Sequence, residues 1–284
     1  MKEPDPGHST GRDPQIDEDG VHNDSQDLRA LMDFAAGLAR GAGEITLRYF
    51  QRLPGAERKA DGSFVTVADR EAESFLRAEI GRQFPDDAIL GEEEGEQAGT
   101  SSRRWIIDPI DGTFSFVHGV PFYGVLIGLE INGESLVGAV NLPALGELVY
   151  AARGQGCFWN GGAARVSDTA TLEESLLLST DFGTCRRYGF GDAADELQQR
   201  ALARRTWGDC YGHVLVATGC ADCMLDPVMN AWDCAPLLPI LEEAGGTFTD
   251  WHGQQTIHGG NAVSTNSKLF ESVMAISKKH RNAE

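Results

Sequence analysis

The spacing of apolar residues changes twice along the 284-residue chain, and this change limits the folds open to it. Over residues 28–50, and again between Thr66 and Pro85, apolar side chains recur at the intervals of an amphipathic helix. Between residues 88 and 151 they form short runs bounded by turn residues, which is typical of strands. Asn132-Gly133 separates two of these runs and is a hairpin signal, so those two strands are expected to be antiparallel.

Strand and helix patterns alternate in the second half of the chain. Strands are predicted at 176–179, 223–225, 247–249 and 262–264, and helices at 192–204, 211–218, 234–244 and from Lys268 onward. Alternation of this kind is typical of a layered α/β structure. We therefore predict an α/β (α+β) protein with an N-terminal α+β half at residues 27–153 and a C-terminal α/β half at residues 154–284.

Residues 1–26 are rich in acidic residues, proline, glycine and serine, and are predicted to be a disordered tail. They contain no apolar core of a secretory signal, and no run in the chain has the roughly 18 apolar residues that span a bilayer. A cytoplasmic protein without membrane contact is expected. Six cysteines are too few for a disulfide scaffold, and Cys220 and Cys223 lack the second close pair of a zinc site, so free thiols are expected.

The net charge of −19 argues against nucleic acid as the main partner, because a surface with this charge repels a phosphate backbone. The same charge would also repel a phosphorylated small molecule. Any phosphate chemistry would need a local source of positive charge.

Three acidic clusters lie at predicted junctions between regular elements and loops. They are Gly91-Glu92-Glu93-Glu94, Asp108-Pro109-Ile110-Asp111-Gly112-Thr113 and Trp232-Asp233. Taken singly, the first is also typical of a solvated loop, the second of a strand-ending turn and the third of a helix N-cap. In the second cluster, however, Pro109 and Gly112 can aim two carboxylates and a carbonyl into one space.

Together the clusters supply a ligand set for two magnesium ions about 4 Å apart, because hard divalent cations prefer oxygen ligands. The candidate metal ligands are Glu92, Asp108, the Ile110 carbonyl, Asp111 and Asp233. The backbone N–H groups of Gly112 and Thr113, where a helix would begin, form a candidate site for a phosphate oxygen.

The order of these motifs resembles the inositol monophosphatase superfamily of magnesium-dependent phosphatases. Residues 59–61, 65–69 and 242–246 also match, and the resemblance runs from about residue 28 to about residue 276. It implies a layered αβαβα sandwich of the inositol monophosphatase and fructose bisphosphatase type. It also implies a small phosphate ester as substrate and, commonly, a homodimer.

The resemblance assigns roles by motif. It implies two or three Mg²⁺ ions, with Glu92, Asp108 and the Ile110 carbonyl at one metal and Asp108, Asp111 and Asp233 at another. Catalytic Glu92 and Thr113 would position and deprotonate a metal-activated water that attacks phosphorus directly. Ser115, where the family often has asparagine, and Pro236, where it has a small residue, depart from the pattern. The second departure leaves the geometry of the late helix open.

The stretch Trp207-Gly208-Asp209-Cys210-Tyr211-Gly212, with residues 226–230, resembles the histidinol-phosphatase branch of the superfamily. Histidinol phosphate carries an ammonium group and an imidazole, which the substrate-binding candidates Asp209 and Asp226 could pair with. A helix N-cap and a strand-ending turn are the alternative roles of these two aspartates.

Hydrolysis of L-histidinol phosphate to L-histidinol and phosphate, a step of histidine biosynthesis, is therefore the leading hypothesis. Inositol 1-phosphate is the alternative substrate, and fructose 1,6-bisphosphate and 3′-phosphoadenosine 5′-phosphate are weaker ones. A non-catalytic metal-binding protein would have lost one of the five key side chains, all of which are present. A nucleotide-sugar transferase would leave Glu92 and Asp233 unexplained.

Overall fold

The computed structural model describes residues 18–52, 55–59, 62 and 64–281. Its helices are α1 Glu18–Tyr49, α2 Val67–Gln83, α3 Thr113–Val117, α4 Phe182–Arg187, α5 Gly191–Arg200, α6 Asp209–Ala217, α7 Ala231–Glu243 and α8 Phe270–Arg281. Its strands are β1 Glu57–Arg58, β2 Phe64–Val65, β3 Ala88–Gly91, β4 Gly95–Gln97, β5 Arg103–Asp111, β6 Gly124–Ile131, β7 Glu134–Leu142, β8 Glu147–Ala152, β9 Gly156–Trp159, β10 Gly162–Ala163, β11 Leu176–Ser179, β12 Ala203–Arg205, β13 Cys223–Asp226, β14 Gly246–Thr249 and β15 Ala262–Asn266.

These elements stack in five layers, and the predicted layered α/β sandwich is confirmed. Helices α1 and α2 cover one face of an eight-stranded sheet of order β10-β9-β8-β7-β6-β5-β3-β4. Helices α6 and α7 lie between that sheet and a five-stranded sheet of order β12-β11-β13-β15-β14. Helices α5 and α8 pack on the outer face of the second sheet.

The predicted hairpin forms between β6 and β7, which pair antiparallel. Asn132 and Gly133 at its turn have φ values of 54° and 81°, as a primed two-residue turn requires. Thr66 caps α2 by accepting from the Ala68 amide, and Asp69 in turn accepts from the Thr66 amide. This reciprocal capping explains why α2 starts where it does.

Helix α7 lies directly against the first sheet, because two strand glycines remove the side chains that would keep it away. A Cβ atom on Gly138 would lie 2.0 Å from the Pro236 carbonyl oxygen, and one on Gly128 would lie 2.7 Å from Ala235 Cβ. The helix continues through Pro236 and Pro239. Since Pro239 has no N–H to give to the Ala235 carbonyl, the Ser135 hydroxyl donates to that oxygen instead, at 2.6 Å.

Three boundaries differ from the sequence predictions. Helix α1 begins at Glu18, inside the segment predicted as tail, because extending an existing helix avoids the cost of nucleation; residues 1–17 lie outside the described residues. The first sheet continues through β9 and β10 to residue 163, past the predicted boundary at 153/154. The helix predicted to reach residue 204 ends at Arg200, because residues 203–205 join β11 as a strand.

Within the described residues, no helix combines the length and the apolar composition that a membrane crossing needs.

Candidate metal centre and active site

Three predicted ligands, Asp108, Asp111 and Asp233, come together at the C-terminal end of β5, an interior strand of the first sheet. Each offers a carboxylate oxygen, and the three oxygens lie within 4.8 Å of one another. Asp108 and Asp111 end β5, and a register shift between them interrupts the pairing of β5 with β6. Such an irregularity lets two residues near a strand end face the same space.

Asp233 reaches the cluster from the first turn of α7. It is the third helical residue and not the N-cap, which is Asn230. Its Oδ2 atom accepts from the Asn230 amide at 2.7 Å, so the capping box that starts α7 also orients this carboxylate.

Burial and mutual repulsion make these carboxylates hard to ionise together. Burial raises the pKa of Asp108 well above its usual range, and the charges of Glu92, Asp111 and Asp233 raise it further. Burial, followed by their proximity to neighbouring carboxylates, raises the pKa of Asp111 to about 7 and that of Asp233 to about 7. A divalent cation would remove this repulsion and takes carboxylate oxygens as ligands, so the donor set fits such an ion.

Glu92 lies beside this trio, on the turn after β3. Its backbone amide donates to the Ile107 carbonyl at 3.2 Å, which ties the turn to the neighbouring strand β5 just before Asp108. Lys59 Nζ donates to Glu92 Oε1 at 2.9 Å and to Glu93 Oε1 at 2.6 Å. Burial lowers the pKa of Lys59, but the two glutamates raise it more, so Lys59 stays charged.

The backbone after Asp108 is held by short local contacts. The Ile110 amide donates to Asp108 Oδ1 at 2.9 Å, and the Thr113 hydroxyl donates to the Ile110 carbonyl at 2.9 Å. Gly112 has φ +80°, a left-handed conformation that favours glycine. The structure therefore places the Ile110 carbonyl, Gly112 and Thr113 at this turn, with α3 beginning at Thr113.

A cleft opens from Asp111 and Asp233 toward the second sheet. Asp111 and Asp233 form one wall, and Asp209, Asp226, Val228 and Met229 are among the residues of the remaining walls. The two predicted substrate residues therefore line the same cleft as two of the predicted metal ligands.

Asp209 and Asp226 are linked through Thr180, a residue that the sequence analysis did not identify. The Thr180 hydroxyl accepts from the Asp209 amide at 2.9 Å and donates to Asp226 Oδ2 at 2.7 Å. Burial raises the pKa of each aspartate to about 7, and a nearby negative charge adds to the rise, from Asp111 for Asp209 and from Asp209 for Asp226. Asp209 is the first residue of α6, after the N-cap Gly208, so the alternative of an N-cap role is not observed.

Two further contacts connect α6 to the trio and to α3. The Cys210 amide donates to Asp111 Oδ2 at 2.5 Å, and the Asp209 carboxylate is hydrogen-bonded to Ser115. Ser115 is the position that departs from the family pattern. The sequence signals for these contacts are weak, because the partners are about 100 residues apart in the chain and meet only in the folded structure.

The remaining sequence predictions concern the cysteines and the 59–61 motif. The six cysteines are free thiols, and Cys220 is exposed whereas Cys223 is buried. Of the 59–61 motif, Lys59 reaches Glu92, while Ala60 and Asp61 lie outside the described residues.

A layered αβαβα fold with clustered acidic residues at a strand end defines a class of metal-dependent phosphatases, and the chain belongs to it. The model of the inositol monophosphatase family matches residues 27–282. The histidinol-phosphatase of Chlorobaculum parvum is 45% identical over 246 residues, which cover 86% of this chain and 95% of the relative. The histidinol-phosphatase of Mycobacterium tuberculosis is 39% identical, over 84% of this chain and 95% of the relative.

A relative with another name and a solved structure agree on the family. The fructose-1,6-bisphosphatase/inositol-1-monophosphatase of Thermotoga maritima is 34% identical over 86% of this chain and 94% of its own. The solved IMPase of Thermotoga maritima superposes with a TM-score of 0.80 at 32% identity, covering 89% of this chain and 99% of that one. The predicted family, fold and enzyme class are confirmed: the chain is a phosphatase of a metal-dependent family that acts on small phosphate esters.

Proposed function

We propose that this phosphatase is magnesium-dependent and hydrolyses L-histidinol phosphate to L-histidinol and orthophosphate, a step of histidine biosynthesis. One observation carries the proposal: the cleft that begins at Asp111 and Asp233 is also lined by two further carboxylates, the half-buried Asp209 and the buried Asp226. A site for a phosphate at one end and for a cation at the other suits an amino alcohol phosphate. The names of the two bacterial relatives support the same substrate.

Asp108, Asp111 and Asp233, together with Glu92 and the Ile110 carbonyl, would hold the Mg²⁺ ions. When bound, such ions neutralise phosphate charge, stabilise the leaving alkoxide and lower the pKa of water. The buried carboxylates leave a donor set of oxygens only, which suits Mg²⁺ better than metals that prefer sulfur or nitrogen.

The residues around Thr113 would handle the nucleophilic water and the phosphate. Because the Thr113 hydroxyl gives its hydrogen to the Ile110 carbonyl, its oxygen is left as an acceptor for a water proton. Glu92 is the proposed base for that proton, since its Oε2 atom is not the one bound by Lys59. The amides of Gly112 and Thr113 would bind a phosphate oxygen at the start of α3.

The leaving group would occupy the part of the cleft next to Asp226. Thr180 already binds Asp226 Oδ2, whereas Oδ1 accepts, from the part of the chain that the structure describes, only a long bond of 3.5 Å from the Val228 amide. That oxygen can accept from an ammonium or imidazolium group, and inositol phosphate offers neither. Asp209, fixed by Ser115 and by its amide contact with Thr180, would add a second negative charge to the same wall.

Phosphate release from four esters tests the proposal. With Mg²⁺ present, we expect kcat/KM for L-histidinol phosphate to exceed the values for inositol 1-phosphate, fructose 1,6-bisphosphate and 3′-phosphoadenosine 5′-phosphate. The proposed substrate is wrong if inositol 1-phosphate is hydrolysed faster. The proposed cofactor is wrong if removal of metal with EDTA leaves activity unchanged and return of Mg²⁺ does not raise it.

Three further expectations belong to this proposal. We propose a homodimer, which light scattering after size-exclusion chromatography would test, and a cytoplasmic location, which fractionation of the source cells would test. We also propose that residues 27–153 and 154–284 form the two halves of the enzyme, with the metal ligands of β5 in the first half and Asp233 in the second. Strands β9 and β10 of the second half join the first sheet. Limited proteolysis would locate the boundary.

A further inference from the structure

Glu73, on the buried face of α2, contacts the turn that carries Glu92. Its side chain is completely buried. Its Oε2 atom accepts from the Glu93 amide at 2.9 Å, and its Oε1 atom accepts from the Glu94 amide at 3.0 Å. One carboxylate therefore binds the two peptide N–H groups that follow Glu92.

Arg77, one helical turn after Glu73, completes the contact. Its Nε atom donates to Glu73 Oε1 at 2.8 Å, and its Nη2 atom donates to the Gly95 carbonyl at 2.6 Å. The ion pair compensates the buried charge of Glu73, and the second bond fixes the far end of the turn. We call Glu73 and Arg77 the α2 clamp.

The clamp leaves no room for a side chain at the start of the turn. A Cβ atom at position 91 would lie 2.2 Å from Glu73 Oε1 and 2.7 Å from Arg77 Nη2, which accounts for the glycine there. Glu92 follows directly, with its amide bound to the Ile107 carbonyl. The backbone around Glu92 is thus bound on one side to Ile107 of β5, and on the other side, through the amides of Glu93 and Glu94, to Glu73 of α2.

We infer that Glu73 is a positioning residue: through the amides of Glu93 and Glu94 it aims the Glu92 carboxylate at Asp108 and thereby sets the affinity for the divalent cation. This inference rests on the role proposed above for Glu92 as a metal ligand. Glu73 itself touches neither substrate nor metal. A flexible turn would let the Glu92 carboxylate move away from the trio, whereas a fixed turn keeps it beside Asp108 while Lys59 binds its Oε1 atom.

The test is calorimetric titration of Mg²⁺ into full-length wild-type protein and into Glu73→Gln, followed by phosphate release as a function of Mg²⁺ concentration. Glutamine keeps the size of the side chain, but its NH₂ group can only donate. In either orientation this group faces another donor, the Glu93 or Glu94 amide or Arg77, so at least one hydrogen bond is lost. We expect the dissociation constant for Mg²⁺ and the half-saturating Mg²⁺ concentration to rise about tenfold or more. The KM for the ester at saturating Mg²⁺ should stay close to the wild-type value.

Glu130→Gln is the matched control. Glu130 is also a buried glutamate paired with an arginine, since Arg104 donates to its Oε2 atom from Nε at 2.7 Å. It lies at the opposite end of β6 from Gly124, the residue paired with Asp111. This variant should lower the melting temperature as Glu73→Gln does, but leave Mg²⁺ affinity unchanged.

Arg77→Lys is a milder change to the α2 clamp. Lysine keeps the positive charge but cannot bind Glu73 and the Gly95 carbonyl at the same time, as the arginine does. We expect it to weaken Mg²⁺ binding in the same direction, by about two- to tenfold. The inference is overturned if Glu73→Gln binds Mg²⁺ with wild-type affinity or, should that variant not fold, if Arg77→Lys does. If wild-type protein itself does not bind Mg²⁺, the proposed function fails together with the inference. If wild-type protein binds Mg²⁺ and both variants bind it with the same affinity, only the inference fails.

Discussion

Replacement of Asp111 by asparagine should stabilise the metal-free protein at alkaline pH while removing its response to Mg²⁺. Burial and the neighbouring Asp233 raise the pKa of Asp111 from 3.8 to about 7. Between about pH 4 and pH 7, the folded protein thus holds a proton that the unfolded chain has lost. Because a raised carboxyl pKa favours the folded state only while the group is protonated, stability falls as the pH rises through this window.

The magnitude follows from the size of the pKa shift. A pKa unit corresponds to about 1.4 kcal/mol, so raising the pH from 5 to 8 should cost the metal-free protein about 3 kcal/mol at Asp111. Asparagine removes this cost and keeps an acceptor for the Cys210 amide. For a protein of this size, 1 kcal/mol changes the melting temperature by about 2–4 °C. The variant should therefore melt about 6–12 °C above wild type at pH 8, and much closer to it at pH 5.

Differential scanning fluorimetry in EDTA and in Mg²⁺ measures both effects. Asp168→Asn is the control, because this exposed aspartate pairs with Lys268, which lowers the pKa of Asp168 and keeps it ionised from pH 5 to pH 8. Its melting temperature relative to wild type should not depend on pH in this range. The electrostatic reasoning is refuted if Asp111→Asn melts at or below wild type at pH 8 in EDTA, or if Mg²⁺ stabilises both proteins equally.

Three other substitutions test separate parts of the structure. Asp108→Asn should lower turnover by about a hundredfold or more and weaken Mg²⁺ binding, because one of the three clustered carboxylates loses its charge. Circular dichroism should show an unchanged fold, and retained activity would contradict the assignment of Asp108 as a metal ligand. In steady-state assays, Asp226→Asn should raise KM for L-histidinol phosphate about tenfold, because a charge-assisted hydrogen bond to the substrate is lost. KM for inositol 1-phosphate should stay unchanged. Equal effects on both esters would argue against recognition of a substrate cation by Asp226. Gly138→Ala should lower the free energy of unfolding, measured by urea denaturation, by about 1–3 kcal/mol. The new Cβ would lie 2.0 Å from the Pro236 carbonyl oxygen and would displace α7. If the variant is as stable as wild type, α7 can move away at little cost.

The parts of the fold that sequence predicted well are those governed by local patterns. Helices α1 and α2 follow from their apolar spacing, and the hairpin between β6 and β7 follows from Asn132-Gly133. Strands β9, β10 and β12 were not predicted, because they are two to four residues long and form by pairing with longer strands. Their existence depends on the sheet, which no short window of sequence describes.

The residues of the candidate site also differ in how well the sequence predicted them. Glu92, Asp108, Asp111 and Asp233 stand in short motifs that could be identified along the chain, and the structure brings the three aspartates together. Thr180 could not be identified, because a threonine after a strand is unremarkable until two distant segments reach its hydroxyl group. Glu73 was also missed, since a glutamate within an amphipathic helix is usually exposed, and its burial depends on the turn after β3.

The position of α7 has a consequence for how the enzyme would fail under stress. Helix α7 packs directly against the first sheet and so keeps Asp233 with Asp108 and Asp111, whereas Asp226 belongs to β13 of the second sheet. Any separation of the sheets would pull Asp226 and its wall of the cleft away from the trio while both sheets were still intact. Loss of turnover on heating should therefore precede loss of secondary structure, so that activity reports on the docking of the halves and not on their internal order.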